Sequence, residues 1–248
     1  MWGAMKRPSL RRKLKDVLSP SFRDYLKPAA PMVQVATDSE LCQEVVGKGL
    51  LTQQQMAHAA QRYRLGKSRS GKTIFWLFDE QDRLRDGRLG DQWVTELLKR
   101  RYPEFAEYLR PGYCLFGLHL LCRTKAYPQP LPKGREEGPA GRQMPVCVVD
   151  SPRSAVVLSE VYPDSLWLAE VEGVCLTIDL LEPLRGHKVT LFPRTDATMD
   201  SYLFSLELAD QARRAYGLDI TVSSILEDHC TAVQKSQCYD LVDYLFNS

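Results

Sequence analysis

Pro145-Val-Cys-Val-Val-Asp150 and Lys188-Val-Thr-Leu-Phe-Pro-Arg-Thr-Asp196 decide how this chain is read. Each is a short apolar run, rich in β-branched residues, that stops on charged residues. Runs of this kind, separated by helical stretches, are the pattern of buried parallel strands. Ser151-Pro152 supplies a helix start between them, with serine as cap and proline at the first helical position, and that helix is expected through about Glu160. Ser165 to Ala169 reads as a second strand and Thr177 to Leu184 as a short helix. Tyr202, Leu206, Ala209, Ala212 and Tyr216 form the apolar stripe of a long helix, and Leu218 to Val222 is a fourth strand. Strands alternating with helices give an α/β layer with a parallel sheet and flanking helices. In such sheets chemistry collects beyond the carboxyl ends of the strands, where Asp150 and Asp196 stand.

Upstream the pattern changes. Residues 1–20 carry Lys6, Arg7, Arg11, Arg12, Lys13 and Lys15, with Leu10, Leu14, Val17 and Leu18 at helical spacing. A basic amphipathic helix and a mobile terminus both fit. A helix is expected from Asp38 or Ser39 to about Gln61, interrupted at Gly47 and Gly49. Tyr63 to Leu65, Thr73 to Phe78 and Leu84 to Leu89 read as three strands of an antiparallel meander, followed by a helix from Asp91 to Arg101. Gly112 to Leu121 is apolar enough for a strand or a buried loop. Four prolines and three glycines between Arg123 and Gln143 mark a linker. The expected organisation is a basic extension over 1–37, a small α+β module with a basic hairpin over 38–122, a linker over 123–144 and the α/β domain over 145–248.

The chain has 248 residues, of which 44% are hydrophobic, enough for ordinary cores. No apolar run reaches the roughly 18 to 20 residues of a membrane span, and the basic start lacks an apolar signal stretch, so a cytoplasmic location without membrane contact is expected. Seven cysteines without a Cys-x-x-Cys pair fit reduced thiols. Residues 1–144 hold 26 Lys plus Arg against 15 Asp plus Glu, a net of +11, whereas residues 145–248 hold 7 against 16, a net of −9. That polarity points the first part toward an anionic partner, or the two parts toward each other.

Three motifs compete for function. Gly66-Lys-Ser-Arg-Ser-Gly-Lys-Thr73 matches the phosphate-binding P-loop pattern, but that pattern works between a strand and a helix, and a strand run follows here. A hairpin turn is the expectation. His119 with Cys114 and Cys122, and His229-Cys230 with Cys238, are zinc-ligand types at spacings that match no zinc pattern. Arg62, Arg64, Lys67, Arg69, Lys72, Arg83, Arg85 and Arg88, interleaved with Tyr63, Phe75 and Trp76, are a candidate single-strand nucleic-acid surface, since cations neutralise phosphates and aromatics stack on bases. A solvated hairpin is the plain alternative.

From about Ser21 to Phe246 the chain resembles the toprim-like (topoisomerase-primase-like) proteins of bacterial mobile elements, often described as primase-related. The matching pieces are Arg62-Tyr-Arg-Leu-Gly66, Ile74-Phe-Trp76, Cys114-Leu-Phe-Gly117, Val148-Val-Asp-Ser151, Leu166-Trp-Leu-Ala169, Val189-Thr-Leu-Phe-Pro193 and Tyr239-Asp-Leu-Val-Asp-Tyr-Leu245. The resemblance implies a toprim-like parallel sheet. It also implies an acid–base carboxylate at Asp150, where the family has glutamate, and a metal ligand at Asp196. Arg194 stands where the family has a further metal-ligand aspartate, and Glu170-Val-Glu172 replaces Thr-Gly-Gly. Asp240 and Asp243 match an Asp-x-x-Asp-Tyr-Leu motif whose carboxylates either join the acidic cluster or cap a docking helix.

The expectation is a nucleic-acid-associated protein of a mobile element with a degenerate site, acting by binding. It would have single-stranded nucleic acid and replication or mobilisation proteins as partners, and no cofactor. The alternatives are an active enzyme, primase-like or nuclease, using Asp150, Asp196 and Mg²⁺, and a protein–protein interaction module. The zinc-binding segment of primases is not recognisable.

Overall fold

The computed structural model describes residues 35–109, 111–121 and 144–247. The basic segment 1–20 and most of the linker therefore lie outside the described residues. The chain divides into two compact units, Met1–Cys114 and Leu115–Ser248.

In the first unit, α1 spans Glu40–Gly47 and α2 spans Gln53–Tyr63. The expected interruption is real: the chain leaves α1 through Gly49 at φ +70 and restarts on a capping box between Thr52 and Gln55. The expected strand over Tyr63–Leu65 is corrected. Met56, Ala59, Ala60 and Tyr63 complete the buried stripe of α2, whose spacing is helical, and Arg64 closes the helix in a left-handed conformation. Pairing begins only at β1, Gly66–Lys67. It continues through β2 (Thr73–Phe78), β3 (Leu84–Leu89) and β4 (Gln92–Trp93) in the antiparallel order β1-β2-β3-β4. Gln92 and Trp93 are drawn into the sheet, so α3 begins at Val94 and ends at Arg101. Its Val94 and Leu98 join Ile74, Trp76, Phe78 and Leu109 in one core.

The meander explains the P-loop match. Ser68 and Lys72 close a turn through Ser68 N–H to Lys72 C=O at 2.9 Å, with Gly71 at φ +89. Gly66 faces the indole of Trp76: a Cβ there would stand 2.3 Å from its Nε1, and one on Gly87 across β2 would stand 2.6 Å from its Cε3. Thr73 Oγ1 accepts from Leu41 N and donates to Ser39 Oγ, both at 2.9 Å. One glycine makes room for a tryptophan, the other makes a turn, and the hydroxyl holds α1. The strand–loop–helix context that phosphate binding needs is absent here.

In the second unit, β5 (Val146–Val149), β6 (Leu166–Ala169), β7 (Lys188–Phe192) and β8 (Asp219–Val222) form a wholly parallel sheet in the order β6-β5-β7-β8. Helices α4 (Pro152–Val161), α5 (Ile178–Leu181) and α6 (Asp200–Tyr216) connect them, followed by α7 (Ile225–His229), α8 (Ala232–Ser236) and α9 (Leu241–Phe246). This is the expected α/β layer, a parallel sheet with flanking helices, preceded by the expected α+β module with an antiparallel meander. Its strands β5 and β6 are buried at every position, as a parallel sheet covered on both faces requires. The β6 edge is covered by a two-bond bridge between Phe116 and Ala169, and on the β8 edge Arg213 Nε donates to Ile220 C=O at 3.0 Å. Through that bridge the segment 115–121, which sequence assigns to the first module, belongs with the second unit.

Candidate site at the carboxyl ends of the parallel strands

The ladder register lines Val149 up with Ala169 of β6 and with Phe192 of β7. The next residues, Asp150 and Glu170, leave the sheet at the same level, and Arg194 follows two residues after Phe192. Ser151 then caps α4, accepting from Ser154 N at 3.2 Å, which fixes the turn that carries Asp150.

Arg194 Nε donates to Asp150 Oδ2 at 2.9 Å, with the Arg194 side chain 50% exposed and that of Asp150 only 12%. Asp240 comes from the far end of the chain. It accepts from Ser154 Oγ at 2.5 Å, caps α9 through Asp243 N at 2.8 Å, and lies 3.9 Å from Arg153 Nη1, which also stands 3.4 Å from Asp243. Asp240 and Asp243 thus do both things expected of them: they form the capping box of a docking helix and add carboxylates beside Asp150.

The electrostatics follow from burial. Desolvation, reinforced by the charge of Asp240, pushes Asp150 up to about 6, and Arg194 only partly opposes it. Burial and the neighbouring Asp150 push Glu170 up to about 7. Asp196 behaves in the opposite way. Desolvation opposes its ionisation, but donors from Ser201 N at 2.9 Å, Thr198 N at 2.9 Å, Thr198 Oγ1 at 2.8 Å and Asp200 N at 3.0 Å hold its carboxyl well below the usual range. Asp196 is engaged at the N-terminus of α6, where helix amides and dipole favour an anion.

These residues do not fit a hard divalent cation. A guanidinium donates and cannot ligate, and it already holds Asp150, while the oxygens of Asp196 are taken up by four donors. Among the described residues no group of three or more His, Cys, Asp or Glu is placed to hold a metal ion. That covers His119, His229, Cys230 and Cys238; Cys122 lies outside the described residues. Burial also pushes the Cys114 thiol up to about 12, away from the thiolate that a metal needs.

The basic set of the first unit is divided. Arg69, Lys72, Arg83 and Arg85 are exposed, and Arg62, Arg64 and Lys67 are partly so. Trp76 is fully buried between its two glycines, which corrects its assignment as a stacking residue. Arg88 is buried, its guanidinium 5.0 Å over the Trp93 ring. Several of the others meet local carboxylates: Arg64 binds Asp82 at 2.7 Å, Lys67 binds Asp38, and the buried Asp79 takes Arg83 at 2.8 Å and Arg85 at 3.7 Å.

Sequence reasoning missed Glu170, Arg153 and Ser154 as members of the strand-end group. Glu170 carried the same signal as Asp150, a carboxylate directly after a buried strand. Arg153 and Ser154 carried none, because only the return of the chain into α9 brings Asp240 and Asp243 to them. No helix among the described residues is long and apolar enough to cross a membrane.

The family of domains of unknown function DUF6371 matches residues 139–195, the segment holding β5 to β7 and their three strand ends, Asp150, Glu170 and Arg194 included. No curated protein matches the chain. A solved structure of the DnaG primase catalytic domain bound to single-stranded DNA aligns over 99% of this chain and 86% of that chain, with 14% identity and a TM-score of 0.43.

Proposed function

We propose that this chain is a nucleic-acid-associated toprim-like protein of a mobile element that acts by binding, its strand-end site neutralised by its own arginine. The observation that carries this reading is the Arg194–Asp150 pair at 2.9 Å, which puts a fixed cation on a strand-end carboxylate, with Asp196 engaged at a helix N-terminus. The binding surface is the basic rim of the meander, where Arg69, Lys72, Arg83 and Arg85 are exposed. A labelled single-stranded oligonucleotide followed by anisotropy tests this. Binding is expected at low salt and falls by roughly 0.7 log unit per phosphate contact per log of salt. Charge reversal of Arg69, Lys72 and Arg85 together should abolish it. Absence of binding at low salt, or binding that survives the triple change, refutes the surface.

The metal half of the proposal has its own test. Mg²⁺ is expected to leave the melting temperature of the natural sequence unchanged and to raise it once Arg194→Asp and Asp150→Glu are combined. Ligand at ten times Kd stabilises by about 1.4 kcal/mol. A second reading, a Mg²⁺-dependent primase-like or nuclease enzyme, draws on Asp150 and Glu170, two adjacent carboxyls held near 6 and 7 as acid–base pairs are. Mg²⁺-dependent primer synthesis or cleavage lost in Asp150→Asn would promote it.

A further inference from the structure

With Trp76 buried, the basic rim of the first unit lacks the aromatic face that a single-strand surface calls for. A different pair of rings supplies one. Trp93, at the end of β4, is the register partner of Arg88 on β3 and carries the Arg88 guanidinium 5.0 Å over its ring. Tyr113 meets the same indole in a T-shaped contact, with centroids 4.9 Å apart and planes at 60°. Arg88 is buried and its Nε has no hydrogen-bond partner, so the ring face takes the place of one. Tyr113 differs from both neighbours in being 45% exposed. Among the side chains described in this unit, it is the one large hydrophobic group that stands exposed.

The surroundings of Tyr113 indicate what its ring meets. At Gly112, the residue before it, a Cβ would stand 2.7 Å from Arg85 Nε, so the glycine lets the guanidinium lie against the chain beside the tyrosine. The Arg85 side chain is 41% exposed and only loosely committed: its Nη1 stands 3.7 Å from Asp79 Oδ2, beyond hydrogen-bond reach. That carboxylate already accepts from Gln81 N, Arg83 N and Arg83 Nε. The donors of Arg85 remain available to an incoming acceptor. We propose that this ring and guanidinium form one subsite for a nucleotide of a single strand, its unpaired base stacking on Tyr113 and its phosphate taken by Arg85. The subsite rests on the nucleic-acid reading above and adds the base contact that reading lacks. The ring is ordered in advance, since Trp93 braces Tyr113 and Arg88 braces Trp93, so little side-chain freedom is lost when a base arrives. A π-face beside a cation accepts any base without reading its edge, which makes the binding tolerant of sequence.

Anisotropy titrations of the full chain with a labelled single-stranded oligonucleotide, repeated over a series of salt concentrations, test the proposal. Tyr113→Ala should raise Kd by about tenfold at every salt concentration. It should leave the slope of log Kd against log salt unchanged, since stacking releases no counterions, whereas Arg85→Gln should reduce that slope by roughly 0.7. Tyr113→Phe keeps the π-face and should bind as the natural chain does. Tyr113→Leu keeps bulk against Trp93 without a π-face and should lose as much as Tyr113→Ala, which separates a lost stack from a packing defect. On a strand made of abasic sites, Tyr113→Ala should have no effect. Binding that ignores both Tyr113→Ala and Tyr113→Leu, or an equal loss on the abasic strand, overturns the stacking subsite and leaves the basic surface standing. No binding by the natural chain at low salt overturns both.

Discussion

The two sheets handle charge in different ways. In the antiparallel meander most of the ion pairs join residues close in sequence: Asp79 takes Arg83 and Arg85, and Arg64 reaches Asp82 one hairpin away, while Lys67 reaches back to Asp38. At the ends of the parallel strands, Asp150, Glu170, Arg194 and Asp240 come from four separate segments, because each parallel strand needs a long crossover before the next. A hairpin rim therefore meets part of its charge locally, with Arg69 and Lys72 exposed beside those pairs. Parallel strand ends concentrate like charges in a partly buried place, and that is where carboxyl groups move toward neutral pH.

The largest effect that would break this comparison lies in the meander. If Trp76 is clasped between Gly66 and Gly87, then Gly87→Ala forces a Cβ 2.6 Å from the indole and should cost about 1–3 kcal/mol in urea unfolding. Combining it with Trp76→Leu should recover part of that loss. A neutral Gly87→Ala would weaken the reading of Gly66, which meets the same indole, as a packing residue.

The strand-end group gives the next effect, and it is one of pH. Asp150 and Glu170 ordinarily titrate at 3.8 and 4.5 and are raised to about 6 and 7 in the folded chain. Between those limits the folded state holds protons that the unfolded state has released. Their contribution is thus most favourable below about pH 4 and is lost as pH rises through 6 and 7. Glu170→Gln should flatten the fall in melting temperature across that window. Asp196, held low by its donors, acts oppositely: its stabilisation is present above its ordinary 3.8 and lost in acid, so Asp196→Asn should matter least in acid. A melting temperature independent of pH between 4 and 7, in both the natural chain and Glu170→Gln, would mean the carboxyls are solvated after all.

Arg194→Ala sharpens the contrast. It leaves Asp150 without its cation, yet that carboxyl can take up a proton, so the loss should be about 1 kcal/mol or less at neutral pH and smaller at pH 5. The smallest effect is expected at the rim, where Arg83→Ala removes an exposed partner of Asp79 and should cost less than about 1 kcal/mol, vanishing in high salt.

Much of the fold was legible because it is written in local periodicity. Val146 to Val149 and Lys188 to Phe192 read as strands and Ser151-Pro152 as a helix start, and Thr73 to Phe78 with Leu84 to Leu89 paired as read. The strand expected at Tyr63 to Leu65 failed because three residues are too few to separate a period of two from the last turn of a helix. By itself the sequence determined most strands and helices of the α/β layer, that Asp150 ends a strand, and that a strand follows the Gly-rich stretch. Only the tertiary structure decided that Arg194 reaches Asp150, that Asp240 returns to Ser154 and Arg153, that Asp196 is engaged at α6, and that Trp76 is buried. The contacts of Arg194 and Asp240 span 40 to 90 residues of chain and Trp76 is enclosed by the pairing of β1, β2 and β3, all set by strand register and helix docking, whereas Asp196 meets donors two to five residues ahead once α6 is formed.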